Sequence, residues 1–272
     1  PGGAVIPNQK SATDGSTPSG EVATTDSNWF SWKTSGKSRY REGARYYLQY
    51  AGFPDTLVYS LNEGKNDYND DYMSRGEWVN YLVGSPAGPT KNRNVEGLGI
   101  PVDLAFAFHT DAGITSDDSV IGTLGIYSTW ADGGGFPDGS SRMASRDLTD
   151  LIQTQLVEDI RTLYNPDWTR RALWDRQYSE AWRPNVPAML LELLSHQNLA
   201  DMRFGLDPRF RFDVSRAIYK GMLRFQSFRE GRPCVVHPLP ISHFAILREG
   251  EEMVKLSWKP VEDPLEPSAI PG

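Results

Sequence analysis

Hydrophobic positions along the chain fall into runs of two periods. Over residues 40–51, Tyr40, Ala44, Tyr47, Leu48 and Ala51 recur at three- and four-residue steps, and Gly52 with Pro54 closes the pattern, which predicts a helix over 42–53. Leu148, Leu151, Ile152, Leu156, Ile160 and Leu163 repeat in the same way and predict a long amphipathic helix over 143–164. A closing helix is expected over 209–228, with Phe212, Ile218, Tyr219, Met222 and Phe225 on one broad core face. Leu104 to Phe108 is continuously apolar, and PAMLLELLSHQN from Pro187 to Asn198 is a second buried-strand pattern, following a proline and carrying Glu192 among leucines. Short, unbroken runs of this kind make strands covered on both faces in an α/β sheet. The segment DTLVYS over 55–60 reads as a further strand, and the alternation over 244–264 reads as a β-hairpin.

The polar stretches between these elements predict loops. Residues 1–37 are rich in Gly, Ser, Thr and Pro and read as a mobile linker; Trp29, Phe30 and Trp32 within it either tack it to a domain or stack on sugar. NEGKNDYNDDY over 62–72 is expected to be a solvated acidic loop, since its alternating Asp67, Asn69 and Asp71 lack the Gly and distant Glu of a calcium loop. DGGGFPDGSS over 132–141 has no lysine of a phosphate loop and reads as a flexible loop at a cleft rim. Trp168, Trp174 and Trp182 form either a sugar or peptide platform or packing beneath a loop. Pro233, Pro238 and Pro240 mark a linker after the closing helix.

Composition narrows the function classes. With 39% hydrophobic residues the chain can build a substantial core. Its net charge of −7 and dispersed basic residues argue against a nucleic-acid partner, which needs a basic face. No apolar run approaches the roughly 18 to 20 residues of a membrane span. The single cysteine, Cys234, precludes an internal disulfide and reads as a small buried hydrophobe. Neither a Gly-x-Ser-x-Gly elbow nor an HExxH pattern occurs.

Candidate chemistry sits where the two apolar runs are interrupted. His109 ends the first run and is followed by Thr110, Asp111 and Ala112. A strand's carboxyl end is where ligands bind in open α/β sheets, so the imidazole is either a metal ligand or catalytic group, or a hydrogen-bonded, partly exposed histidine. Glu192 lies among leucines in the second run. A carboxylate there is either a general acid/base or a paired structural acid.

These two stretches, with the order of the segments between them, resemble the zinc-dependent N-acetylmuramoyl-L-alanine amidases that cleave bacterial peptidoglycan. The resemblance runs from about Arg39 to Phe228: EGARYYLQYAGF, DTLVYS, the arginine-bearing SRGEWVNYL, FHTDA, IGTLGIYST, SSRMASRDLTDLIQTQLVEDI, the pair Arg170 and Arg171, and PAMLLELLSHQN follow in the family's order. FHTDA is similar to the family's Ile-His-x-Asn-Ala signature, whose histidine binds zinc, and Glu192 falls on the family's catalytic glutamate. The resemblance therefore implies a three-layer α/β domain with a mostly parallel central sheet flanked by helices. It also implies a Zn2+ cofactor held in part by His109, and Glu192 as the group that takes the proton of the attacking water. Asp111 stands where the family has asparagine and reads either as a carboxylate orienting His109 or as a surface loop residue.

The family's other zinc ligands, a histidine and a glutamate, lie on its first strand and helix. No Gly-His-Gly segment occurs here, and His109, His196, His237 and His243 all come too late in the chain. The expectation is that the first strand, the first helix and these ligands lie upstream of Pro1. It resembles a bacterial subgroup often labelled xanthan lyase, which carries an inserted golvesin-like domain. The expected organisation is a linker at 1–38, the latter part of an amidase-like domain at 39–232, and at 233–272 a linker with the first strands of a fibronectin type III-like domain. In that last segment LSWKPVEDP carries the early core tryptophan. The implied partners are peptidoglycan or a related glycan and the upstream segment, and the implied location is extracytoplasmic. The chain alone is expected to be inactive. Two other classes remain open: a polysaccharide-degrading enzyme, and a non-catalytic wall-binding or scaffold protein.

Overall fold

The structure, a computed structural model, describes residues 5–6, 43–58, 61–62, 65–84 and 96–270. The aromatic trio Trp29, Phe30 and Trp32, with nearly all of the expected linker, lies outside the described residues. The strands are β1 (Val5–Ile6), β2 (Ala105–Asp111), β3 (Ile114–Thr115), β4 (Leu124–Tyr127), β5 (Trp174–Asp175), β6 (Ala188–Ser195), β7 (Ser242–Glu249) and β8 (Met253–Lys259). The helices are α1 (Gly43–Tyr50), α2 (Asp55–Val58), α3 (Asp67–Val83), α4 (Met143–Leu163), α5 (Ser179–Trp182), α6 (Leu199–Gly205) and α7 (Pro208–Glu230). The central sheet has the order β2-β6-β4-β5; β2 with β6 and β4 with β5 are parallel, and β4 with β6 is antiparallel. The fold is thus α/β with a mostly parallel sheet between helical layers, as expected.

β6 is buried along its whole length because both faces are covered. Met189, Leu191 and Leu193 meet Leu148, Ile152 and Leu156 of α4 and Phe210, Val214 and Phe225 of α7 in the main core. Leu190 lies on the other side with Leu124, Ile126 and Ala181. α4 and α7 form where their periodicity predicts, α7 starting on the Asp207 cap with Pro208 in its first turn and ending at Gly231 in the left-handed conformation. Phe210 supplies the core contact at the start of α7, whereas Phe212 is exposed, so the buried face of this helix is displaced from the predicted one.

Four expectations are corrected. Residues 55–58 form the short helix α2, because the Pro54 carbonyl accepts from Leu57 and Val58, whose side chains bury. The acidic stretch is no solvated loop: Asn66 caps α3 by accepting from the amides of Tyr68 and Asn69, and Asp67, Asp70 and Asp71 are buried. Arg45 explains two of them, through its ion pair to Asp67 at 3.1 Å and its amide hydrogen bond to Asp71 at 3.0 Å. The first apolar run is covered less than predicted, since β2 is the outer strand of the described sheet and Phe108 is 53% exposed. Cys234 is half-buried.

Trp168 is core rather than platform; its indole donates to the Thr123 hydroxyl, which donates to the Leu193 carbonyl. The glycine-rich segment at 132–141 is pinned by the buried Arg142, which donates to the Gly135, Trp182 and Pro184 carbonyls and stacks over Phe136. The carboxyl-terminal hairpin β7–β8 forms in antiparallel register with its strands exposed, Trp258 at 47%. The chain then returns to α7, where Arg216 and Arg224 pair with Asp263 and Glu266. Among the described residues no helix is long and apolar enough to cross a membrane.

Candidate functional site

The site is built on the parallel ladder of β2 and β6, which pairs Ala105 with Ala188 and continues in register to His109 and Glu192. Paired residues of a parallel ladder leave the sheet on the same face. Ala107 and Leu190, two positions earlier, join the small core under α5, so His109 and Glu192 stand on that side above an apolar floor. Beyond His109 the register shifts and Asp111 comes opposite Ser195. Such an irregularity re-aims the side chains that follow it.

His109 is partly exposed, and its Nε2 lies 3.0 Å from Oε1 of Glu180 in α5. The same Glu180 oxygen is 3.4 Å from Nη1 of Arg75 on α3, and Arg75 Nη2 is 2.7 Å from Asp71. Burial works to raise the Glu180 pKa, but the His109 contact and the Arg75 charge outweigh it and hold this carboxyl below its ordinary range. Burial likewise opposes the charge on Arg75, and the Glu180 and Asp71 carboxylates more than offset it. Helices α3 and α5 come this close because residue 76 is glycine: a Cβ there would stand 2.7 Å from the Arg183 Cβ. Ser179 donating to the Tyr72 carbonyl and Arg183 pairing with Glu77 complete the clasp.

Glu192 is 3% exposed and lies between His109 of β2 and Leu124 of β4 in the sheet. Asp111 is turned to Arg171, whose Nη1 is 2.7 Å from Oδ2, and its Oδ1 accepts from the Ala112 amide at 2.7 Å. Arg171 in turn stacks over Trp174. The structure therefore brings together His109 and Glu192 and holds Asp111 against an arginine. Glu180 was not legible as part of this site: in the segment RQYSEAW it reads as an acid opening a helical turn, and only the tertiary fold places it against an imidazole 71 residues away.

The donor set on this chain does not by itself fit a closed zinc site. Among the described residues no three His, Cys, Asp or Glu side chains converge as metal ligands. Each remaining histidine has another partner: His196 meets Thr110, His237 meets Tyr219 and His243 meets Ser242.

No family model matches the sequence, and no curated protein matches it. Among solved structures the chain is similar to the N-acetylmuramoyl-L-alanine amidase AmiC2 of Nostoc punctiforme, with 13% identity, TM-score 0.35, and 46% of this chain and 59% of that one covered. The chain thus spans less than two thirds of that protein. It is similar also to the CwlD amidase of Clostridioides difficile, solved in complex with the GerS lipoprotein, with 17% identity, TM-score 0.42 and coverage of 68% and 81%. A third is the N-acetylmuramyl-L-alanine amidase Ami1 of Mycobacterium smegmatis, with 15% identity, TM-score 0.40 and coverage of 70% and 75%. Likeness at this level carries no inference about activity.

Proposed function

We propose that this chain carries the latter part of a peptidoglycan amidase, an enzyme that hydrolyses the amide between N-acetylmuramic acid and L-alanine. The observation that carries the reading is the in-register pair of His109 and Glu192, standing on one face of the sheet in the carboxyl-terminal halves of β2 and β6. Glu192 is the general base: its carboxylate takes a proton from the attacking water and delivers it to the leaving amine. Beneath it Leu190 and Ala107 form an apolar floor, and Leu124 flanks it in the sheet. Zinc is part of the proposal, with His109 as the ligand from this chain and a histidine and a glutamate from polypeptide beyond it. Such a substrate lies outside the cytoplasmic membrane, so the proposed location is extracytoplasmic.

The test is zinc stoichiometry and release of peptide from muropeptides, measured for this chain alone and for a longer polypeptide that supplies a Gly-His-Gly segment. The chain alone is expected to bind zinc weakly and to be inactive, because stable sites use three or four ligands. The completed protein is expected to hold one zinc and to lose hydrolysis on Glu192→Gln. Chelator-resistant hydrolysis by the chain alone, or cleavage of a glycan by elimination, would overturn the reading.

A further inference from the structure

We propose that Glu180 is the positioning residue of this site and that it fixes His109 as the Nε2–H tautomer, leaving Nδ1 as the nitrogen able to accept from a ligand. A carboxylate can only accept hydrogen bonds, so a ring nitrogen 3.0 Å from Glu180 Oε1 must carry the proton. Nδ1 makes no hydrogen bond to the described residues, and the ring remains a quarter exposed on that side chain. The carboxylate that holds the ring is itself held. Glu180 is fixed from behind by Arg75 at 3.4 Å, Arg75 by Asp71 at 2.7 Å, and Asp71 by the amide of Arg45 at 3.0 Å. Four side chains from β2, α5 and α3 thus form one line ending in the imidazole. Which ring nitrogen is free decides which atom can meet a ligand, since the hydrogen bond at one nitrogen sets the role of the other.

The inference rests on the proposed function only in taking His109 as a working group, and its test needs no turnover. Nitrogen-15 long-range NMR of the full chain above the imidazole titration should show a single tautomer with the proton on Nε2 and that proton protected from exchange. In Glu180→Leu the ring should become a tautomeric mixture with exchange faster by about tenfold or more, the factor that a charge-assisted hydrogen bond contributes. Glu180→Gln, whose carbonyl can still accept, should keep the tautomer with intermediate protection. It gives the same reading if the leucine variant fails to fold. A proton on Nδ1 in the parent, or a ring proton equally protected in folded Glu180→Leu, would overturn the proposal. Loss of the amidase reading through the zinc and muropeptide measurements would leave the NMR result unchanged, so the two fail separately.

Discussion

Gly221 of α7 lies directly on the backbone of Ile152 in α4: a Cβ at residue 221 would stand 2.7 Å from the Ile152 Cα. Alanine is the better helix former by about 1 kcal/mol, yet here the added methyl meets main chain that cannot swing aside. Gly221→Ala should therefore destabilise the domain by about 1–3 kcal/mol in urea unfolding. A neutral or stabilising result would mean that the two helices can separate freely.

Glu192 offers a sharper separation of chemistry from stability. Glu192→Gln preserves shape in a buried slot while removing the base, so hydrolysis by the completed enzyme should fall about 10²–10⁴-fold. Its unfolding midpoint should stay near that of the parent. Retained activity would show that another group takes the proton.

Arg142 tests the segment at 131–141. Its guanidinium satisfies three main-chain carbonyls and reaches Asp132 at 3.2 Å. Arg142→Met keeps the stem but strands those acceptors, at a cost of at least about 3 kcal/mol. Limited proteolysis should then cut within 131–141, where the parent resists; equal resistance in both would remove the arginine from its holding role.

Asp159 makes a pH prediction. Burial raises its pKa above 3.8, although Lys220, with Nζ 2.6 Å away, and Gln155 pull the other way. The folded state therefore keeps a proton that the unfolded chain has lost. That linkage makes the Asp159 contribution fall as pH rises from near 3.8 through the raised folded value, and hold level above it. The stability of the parent relative to Asp159→Asn should fall over that window in unfolding curves at stepped pH. A parent that gains stability over Asp159→Asn as pH rises would reverse the sign.

Legibility followed burial. The long helices α4 and α7 and the strand β6 were readable because a continuous core imposes its period on Leu148, Ile152 and Leu156 or a largely apolar run on 188–195. The break at His109 and the acid at Glu192 were equally visible as irregularities in apolar runs, and the ladder makes them neighbours. What escaped was set by partners distant in sequence. The carboxylates of α3 look solvated until Arg45 and main-chain amides are brought to them, and DTLV is too short for period to distinguish strand from helix. Phe108 misled because a strand's neighbour on its outer side is not written in the strand itself. Glu180 escaped for a related reason: nothing local marks the acid that meets an imidazole across the fold.

The arm formed by β7 and β8 leaves and rejoins the body at one point. A single guanidinium, that of Arg216, grips both roots, the His237 carbonyl at 2.9 Å before the arm and Asp263 at 2.7 Å after it. Everything between those roots is an excursion whose ends stay together whatever its length, and closing such a loop costs only about 0.6 kcal/mol more for each doubling in residues. The position is therefore a socket: the hairpin can be shortened to a turn or exchanged for a whole module with little penalty to α7 or to the sheet behind it.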